Sequence, residues 1–173
     1  MEPTSFSYPG VEQRASRTLY TATLLDLEPG TDYSFSINYR IPNTNSRKYF
    51  FRTIGHDDEI VIANGGDVGN NHFADAIHAQ VRLHKPDLIV LGGDLSYGNN
   101  LGECYNAWDL LISRLPHRYP SAQGTRLVPV LYGVGNHDLG KGSNNTAIYE
   151  ENEHSPIYKK FFPQHFGKAR NVP

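Results

Sequence analysis

Three apolar runs rich in Val, Ile and Leu, each followed by glycine and an oxygen-bearing side chain, leave this chain few folds to choose from. Ile60 to Ala63 leads into Gly66-Asp67-Val68-Gly69, Asp87 to Leu91 into Gly93-Asp94-Leu95-Ser96-Tyr97-Gly98, and Leu127 to Tyr132 into Gly135-Asn136-His137-Asp138. A short, nearly continuous apolar run closed by glycine reads as a buried strand of an α/β fold. Two helical stripes lie between the runs. One spans Asn71 to Lys85, with Phe73, Ile77, Gln80, Val81 and Leu83 to His84 along its face, and stops at Pro86; the other spans Glu103 to Leu115, with Trp108, Leu111, Ile112 and Leu115, and stops at Pro116. Strand, helix, strand, helix, strand is the βαβ pattern, with right-handed crossovers. In such sheets the crevice lies at the carboxyl ends of the strands, which is where Asp67, Asp94 and Asn136 are expected to stand.

Asp, Asn and Tyr oxygens with a histidine nearby suit a pair of hard metal ions. Paired metals are a recurring solution for phosphate-ester hydrolysis, because they neutralise the ester's charge and generate hydroxide at mild pH. Each motif alone has a plainer explanation: Gly-Asp pairs make turns, Asn and Asp cap helices, and Tyr97 could be a solvent-facing turn residue. The three motifs in order, each after a buried strand, are hard to assign to turn chemistry. The other histidines, including His56, His72, His78, His84 and His117, are read as ordinary core or surface side chains.

GDxG, GDxxYG and GNHD in this order resemble the first three motifs of the calcineurin-like metallophosphoesterases, and the tyrosine resembles the purple acid phosphatases. That resemblance implies hydrolysis of phosphate monoesters at a dinuclear centre of Fe3+ and a divalent metal, Zn2+, Mn2+ or Fe2+. By the same resemblance Asp67 and Tyr97 bind the ferric ion, Asp94 bridges the two metals and Asn136 binds the divalent one. His137 stands beside the substrate phosphate as the catalytic residue, able to bind its oxygens or protonate the leaving alkoxide. A tyrosinate ligand at working pH calls for a strong Lewis acid, since a free phenol has a pKa of about 10. The family draws three more histidine ligands from VxxH-like and GHxH motifs downstream, and the sequence reaches Pro173 before either. The chain is therefore expected to be a fragment of a longer hydrolase. Two alternatives stay open: another calcineurin-like phosphodiesterase or nucleotidase in which Tyr97 is not a ligand, and a non-catalytic binding fragment.

Residues 1–54 have a different character, with alternating Tyr20, Ala22 and Leu24, then Tyr33, Phe35, Ile37 and Tyr39, then Tyr49 and Phe51. This is β-sandwich composition. Leu27-Glu28-Pro29-Gly30-Thr31-Asp32-Tyr33 resembles the L-x-P-x-T-x-Y corner of fibronectin type III domains, in which the tyrosine hydroxyl bonds back to the turn. The expected architecture is thus a partial fibronectin III-like β-sandwich over 1–54, followed over 55–173 by the first half of an α/β metallophosphoesterase domain, a β-sheet sandwich flanked by helices. Plant-type purple acid phosphatases show the same order.

Bulk properties narrow the partners. The formal net charge of -2 offers no field to gather nucleic acid, and no run is long enough to span a membrane. A small phosphorylated substrate is the expected partner. The start, Met1-Glu2-Pro3-Thr4-Ser5, has no signal-peptide character, while the resemblance implies a secreted or vacuolar/lysosomal protein and a homodimer at full length. Cys104 is the only cysteine, which excludes an internal disulfide.

Overall fold

A computed structural model describes residues 2–6, 16–38, 46–57, 59–99, 104, 106–138 and 161–162. Strands β1 (Glu2–Phe6) and β2 (Arg17–Thr21) form an antiparallel pair. Strands β3 (Asp32–Ile37) and β4 (Arg47–Arg52) form an antiparallel hairpin, with Tyr33 stacked on Phe51 and Phe35 on Tyr49. Stacked cross-strand aromatics of this kind are what hold such a pair together. Tyr39 lies outside the described residues. The hydroxyl of Tyr33 accepts the Glu28 N–H at 2.8 Å, so it does reach back to the turn before it. Ala22 and Leu24 lie beyond the end of β2, and Leu24 is exposed.

The parallel sheet that carries the three motifs contains β5 (Ile62–Gly65), β6 (Leu88–Leu91) and β9 (Val130–Tyr132), in that spatial order. Helix α1 (His72–His84) connects β5 to β6, and α2 (Ala107–Arg114) lies between β6 and β9 in sequence. The remaining strands, β7 (Arg118–Ser121) and β8 (Gly124–Leu127), form a hairpin whose β8 pairs in parallel with β4. The result is a four-stranded sheet in the order β3-β4-β8-β7, so β3 and β4, from within 1–54, share a sheet with residues well beyond it, while β1 and β2 form a two-stranded sheet of their own.

Three expectations need correction. The run Leu127 to Tyr132 is not one strand. Pro129 has no N–H for a ladder, so the chain ends β8 at Leu127 and starts β9 at Val130, in two different sheets. The strand expected from Ile60 begins at Ile62, because Asp87 clamps the residue before it: Val61 N–H donates to the Asp87 carboxylate at 3.1 Å, and Val61 O accepts the Asp87 N–H at 2.8 Å. Finally, the stripe on α1 is rotated. Phe73, Ile77 and Leu83 are exposed, whereas Ala74 and His78 are buried. Polar contacts with the end of α2 set this rotation: Arg82 donates to the Arg114 and Leu115 carbonyls, and Asp75 faces Arg114 at 3.5 Å. Arg82 thereby satisfies carbonyls left orphaned at a helix C-terminus.

Helix bounds are set by caps. Asn71 accepts the Ala74 N–H at 3.0 Å, and Lys85 closes α1 in the left-handed conformation at φ 47°. The second helix starts at Ala107 rather than Glu103, a residue outside those described. Its face supplies Trp108 and Leu111 to a core with Ile89, Leu91, Leu95, Leu115 and Val128. Phe161 and Phe162 pack on Trp108 at ring separations of 5.7 and 5.5 Å. Each such side chain taken from water contributes roughly 1.5–3 kcal/mol. The described residues cover one face of the parallel sheet; Ile62 and Leu131 on its other face are exposed, although the sequence reads these runs as wholly buried. Among the described residues no helix is long and apolar enough to cross a membrane.

His117 follows α2, and its carbonyl accepts the Val128 N–H at 2.9 Å. Its Nδ1 is enclosed with no hydrogen-bond partner among the described residues. Burial, reinforced by the Arg118 charge, pushes this imidazole down to about 4. A base depressed from an ordinary value of about 6.5 keeps its full contribution to stability above that pH and loses it as pH falls toward 4, because the unfolded chain takes up the proton first. Between pH 7 and 4.5, urea unfolding is expected to show His117→Gln losing about 2 kcal/mol less stability than the parent. Equal acid sensitivity in the two proteins would contradict this assignment.

Candidate metal centre

The turns that follow β5, β6 and β9 are laced to one another. On one side, Gly92 N–H donates to Gly65 O at 2.7 Å, and the N–H groups of Asp67, Val68 and Gly69 donate to the carbonyls of Gly93, Asp94 and Leu95 at 3.1, 3.1 and 3.0 Å. On the other, Gly133 N–H donates to Leu91 O at 2.6 Å, and His137 N–H donates to Asp94 Oδ1 at 2.8 Å. The turns that carry Asp67, Asp94, Tyr97, Asn136 and His137 are therefore brought together at the carboxyl end of the parallel sheet.

Asp138 ties the second turn to the third. It is 2 % exposed, and its carboxylate accepts Leu95 N–H with one oxygen and Gly135 N–H with the other, both at 3.0 Å. Burial pushes its carboxyl up, against the pull of the Gly135, Leu95 and Asp94 backbone donors. The residue is a clamp between the second and third turns. A comparable role falls to Asn70, whose amide donates to the carbonyls of Ser96 and Ala107 at 2.8 and 3.2 Å.

Backbone conformation marks the same place. Asp67, Asp94, Tyr97 and Asn99 have φ of 49°, 50°, 55° and 49°. Asp and Asn tolerate the left-handed region, whereas a tyrosine there carries a cost of order 1–3 kcal/mol that the surrounding contacts must sustain. Such strain concentrates at functional sites. The conformation turns the Tyr97 ring onto His137, with centroids 4.4 Å apart, and its hydroxyl donates to Asp67 Oδ1 at 2.7 Å. That hydrogen bond, followed by desolvation and by the charges of Asp67 and Asp94, pushes the phenol up to about 12. His137 Nδ1 lies 2.8 Å from Asn99 Oδ1, a contact across 38 positions that no local pattern signals.

Among the described residues no three His, Cys, Asp or Glu side chains stand together as a metal cluster. The available donors are two carboxylates, a phenol and an amide, all hard oxygen donors of the kind that suits hard cations. A cavity of about 110 Å³ behind Asp67 is lined mostly by apolar side chains, among them Ala63, Val68, Ile77, Ile89 and Leu115, with Asn64 and His78.

Compared with models of protein families, residues 40–172 match the calcineurin-like phosphoesterases. The chain belongs to that family. No curated protein matches the chain. As a calcineurin-like phosphoesterase it falls among phosphoester hydrolases that use divalent metal ions, which accords with the hard oxygen donors at the ends of its parallel strands.

Proposed function

We propose that this phosphoesterase is of the purple acid phosphatase type, hydrolysing phosphate monoesters at a centre of Fe3+ and a divalent ion, Zn2+, Mn2+ or Fe2+. In this reading Asp67, Tyr97 and Asp94 would hold the ferric ion, and Asp94 and Asn136 would hold the divalent one. When bound, the pair supplies charge neutralisation and a nucleophile at mild pH. The observation that carries the reading is the Tyr97 hydroxyl, 2.7 Å from an Asp67 oxygen, on a residue only three positions after Asp94. A free phenol has a pKa of about 10, so a tyrosinate ligand at Tyr97 near neutrality would call for a strong Lewis acid, which favours a ferric ion over two divalent ions.

The chain's own groups divide the remaining work. Asp94 keeps its oxygen in place by accepting the His137 N–H, and Asp138 fixes the turn that presents Asn136 and His137. His137 meets the phosphate and donates a proton to the departing alkoxide. Residues 1–54 belong in this reading to a fibronectin III-like front domain, supported by the bond from Glu28 to Tyr33.

Iron-loaded protein is expected to show a visible tyrosinate-to-Fe3+ absorption band, and Tyr97→Phe to lose it while keeping the fold. A band that survives the substitution, or its absence from the iron-loaded parent, would point instead to a phosphodiesterase or nucleotidase in which Tyr97 binds no metal.

A further inference from the structure

We infer that Asn70 is a positioning residue for Tyr97: its side-chain amide locks the peptide unit that leads into the tyrosine and so aims the phenol at Asp67. Asn70 Nδ2 donates to the carbonyls of Ser96 and Ala107 at 2.8 and 3.2 Å. Both partners can only accept, so the nitrogen end of the amide belongs there. The Ser96 carbonyl is part of the peptide unit that joins Ser96 to Tyr97. The following unit, between Tyr97 and Gly98, is held as well, because the Gly98 N–H donates to the Ser96 hydroxyl oxygen at 3.2 Å. A planar peptide fixed on each side leaves the Tyr97 Cα little freedom, since φ and ψ are the only soft backbone rotations between them. The flanking units thus sustain φ 55°, a costly conformation for a tyrosine. The same constraint directs the Cα–Cβ bond, which carries the ring onto His137 and the hydroxyl to 2.7 Å from Asp67 Oδ1.

Asn70 is itself held. The Gly69 N–H donates to Leu95 O at 3.0 Å, so residues 69 and 70 grip the successive carbonyls of 95 and 96. The Asn70 carbonyl accepts from the Arg114 guanidinium at 2.7 Å, and that guanidinium faces Asp75 of α1 at 3.5 Å. Ala107 stands first in α2, so one amide joins the first turn, the second turn and the start of that helix. Asn71, the next residue, serves α1 instead, accepting the Ala74 N–H. The use of the position rests on the phosphatase reading, in which the tyrosine aimed in this way is the ferric ligand. The aim itself is set by the hydrogen bonds around the turn.

The test follows the Tyr97 ring. The full chain, with 13C in the rings of its 11 tyrosines, is studied by NMR without added metal, Tyr97 being assigned by its absence from the Tyr97→Phe spectrum. The parent is expected to show Tyr97 signals displaced by the neighbouring imidazole. Asn70→Ala should return them toward the values of a solvent-facing tyrosine while the Tyr33 signals stay in place. Asn71→Ala removes only the α1 cap, so it should lower the thermal midpoint and leave the Tyr97 signals where they were. Should Asn70→Ala fail to fold, Arg114→Gln releases the Asn70 carbonyl from a partly exposed side chain and is expected to move the same signals in the same direction. Unmoved Tyr97 signals in folded Asn70→Ala, or in Arg114→Gln where Asn70→Ala does not fold, overturn the inference, as does an equal displacement in Asn71→Ala. Absence of a tyrosinate-to-Fe3+ band from the iron-loaded parent would count against the phosphatase reading alone, because the ring signals are read without metal and decide the positioning by themselves.

Discussion

Asp94→Asn is expected to lower metal-dependent phosphoester hydrolysis by more than about 100-fold, since loss of even an indirect partner of a metal ligand typically costs 10–100-fold. The substitution is nearly isosteric. An asparagine oxygen in the same position still accepts the His137 N–H now held at 2.8 Å, so the third turn stays anchored and the thermal midpoint should move little. What disappears is one negative charge at the position argued to serve both metals, and with it much of the affinity for divalent ions. Metal content after dialysis and the rate on p-nitrophenyl phosphate at saturating Zn2+ are the two readouts. Loss of both with an unchanged midpoint fits a bridging carboxylate. Retained hydrolysis would remove Asp94 from the centre, and retained binding of a protein partner without hydrolysis in either form would favour a binding role for the chain.

The site was easier to read from sequence than the fold around it. Asp67, Asp94, Asn136 and His137 follow apolar runs and glycines, and a strand that ends at a sheet edge has little choice about where its next residue goes. The α1 face was misjudged because size suggested Phe73 and Ile77, while the helix docks through Ala74 and His78 under the control of Arg82 and Asp75. Pro129 was visible in the sequence, yet its effect depends on a second sheet that accepts β8, and the partner strand β4 is more than seventy positions away. Asn99 and the clamp by Asp138 were illegible for a related reason. Each acts across some forty positions, through a bond that exists only once the turns have been brought together.

The closeness of those turns supplies the other large effect. Gly135 has no room for a side chain: a Cβ built there would press on the Asp94 carboxylate and on the Asp94 backbone nitrogen. The facing Gly93, at φ 111°, would meet the Gly135 nitrogen at 2.5 Å and the Val134 carbonyl carbon at 2.7 Å. Backbone cannot swing aside as a flexible side chain can, so Gly135→Ala must separate the second turn from the third. That separation strains the Asp138 bridge to Leu95 and the His137 tie to Asp94 together, because both bonds cross between the same two turns. The expected cost is about 3 kcal/mol or more. For a chain of this size it corresponds to a fall in thermal midpoint of roughly 6–12 °C. Gly65→Ala is the matched control, since nothing lies within 4 Å of a Cβ at that position in β5, and it should leave both midpoint and metal content nearly unchanged. If Gly135→Ala instead keeps the parental midpoint and binds zinc as the parent does, the turns are not locked as described. If it keeps the midpoint and loses the zinc, the lacing serves the ligands more than the fold, and the strain at Asp67, Asp94 and Tyr97 is sustained by the hydrogen bonds between turns rather than by the hydrophobic core beneath them.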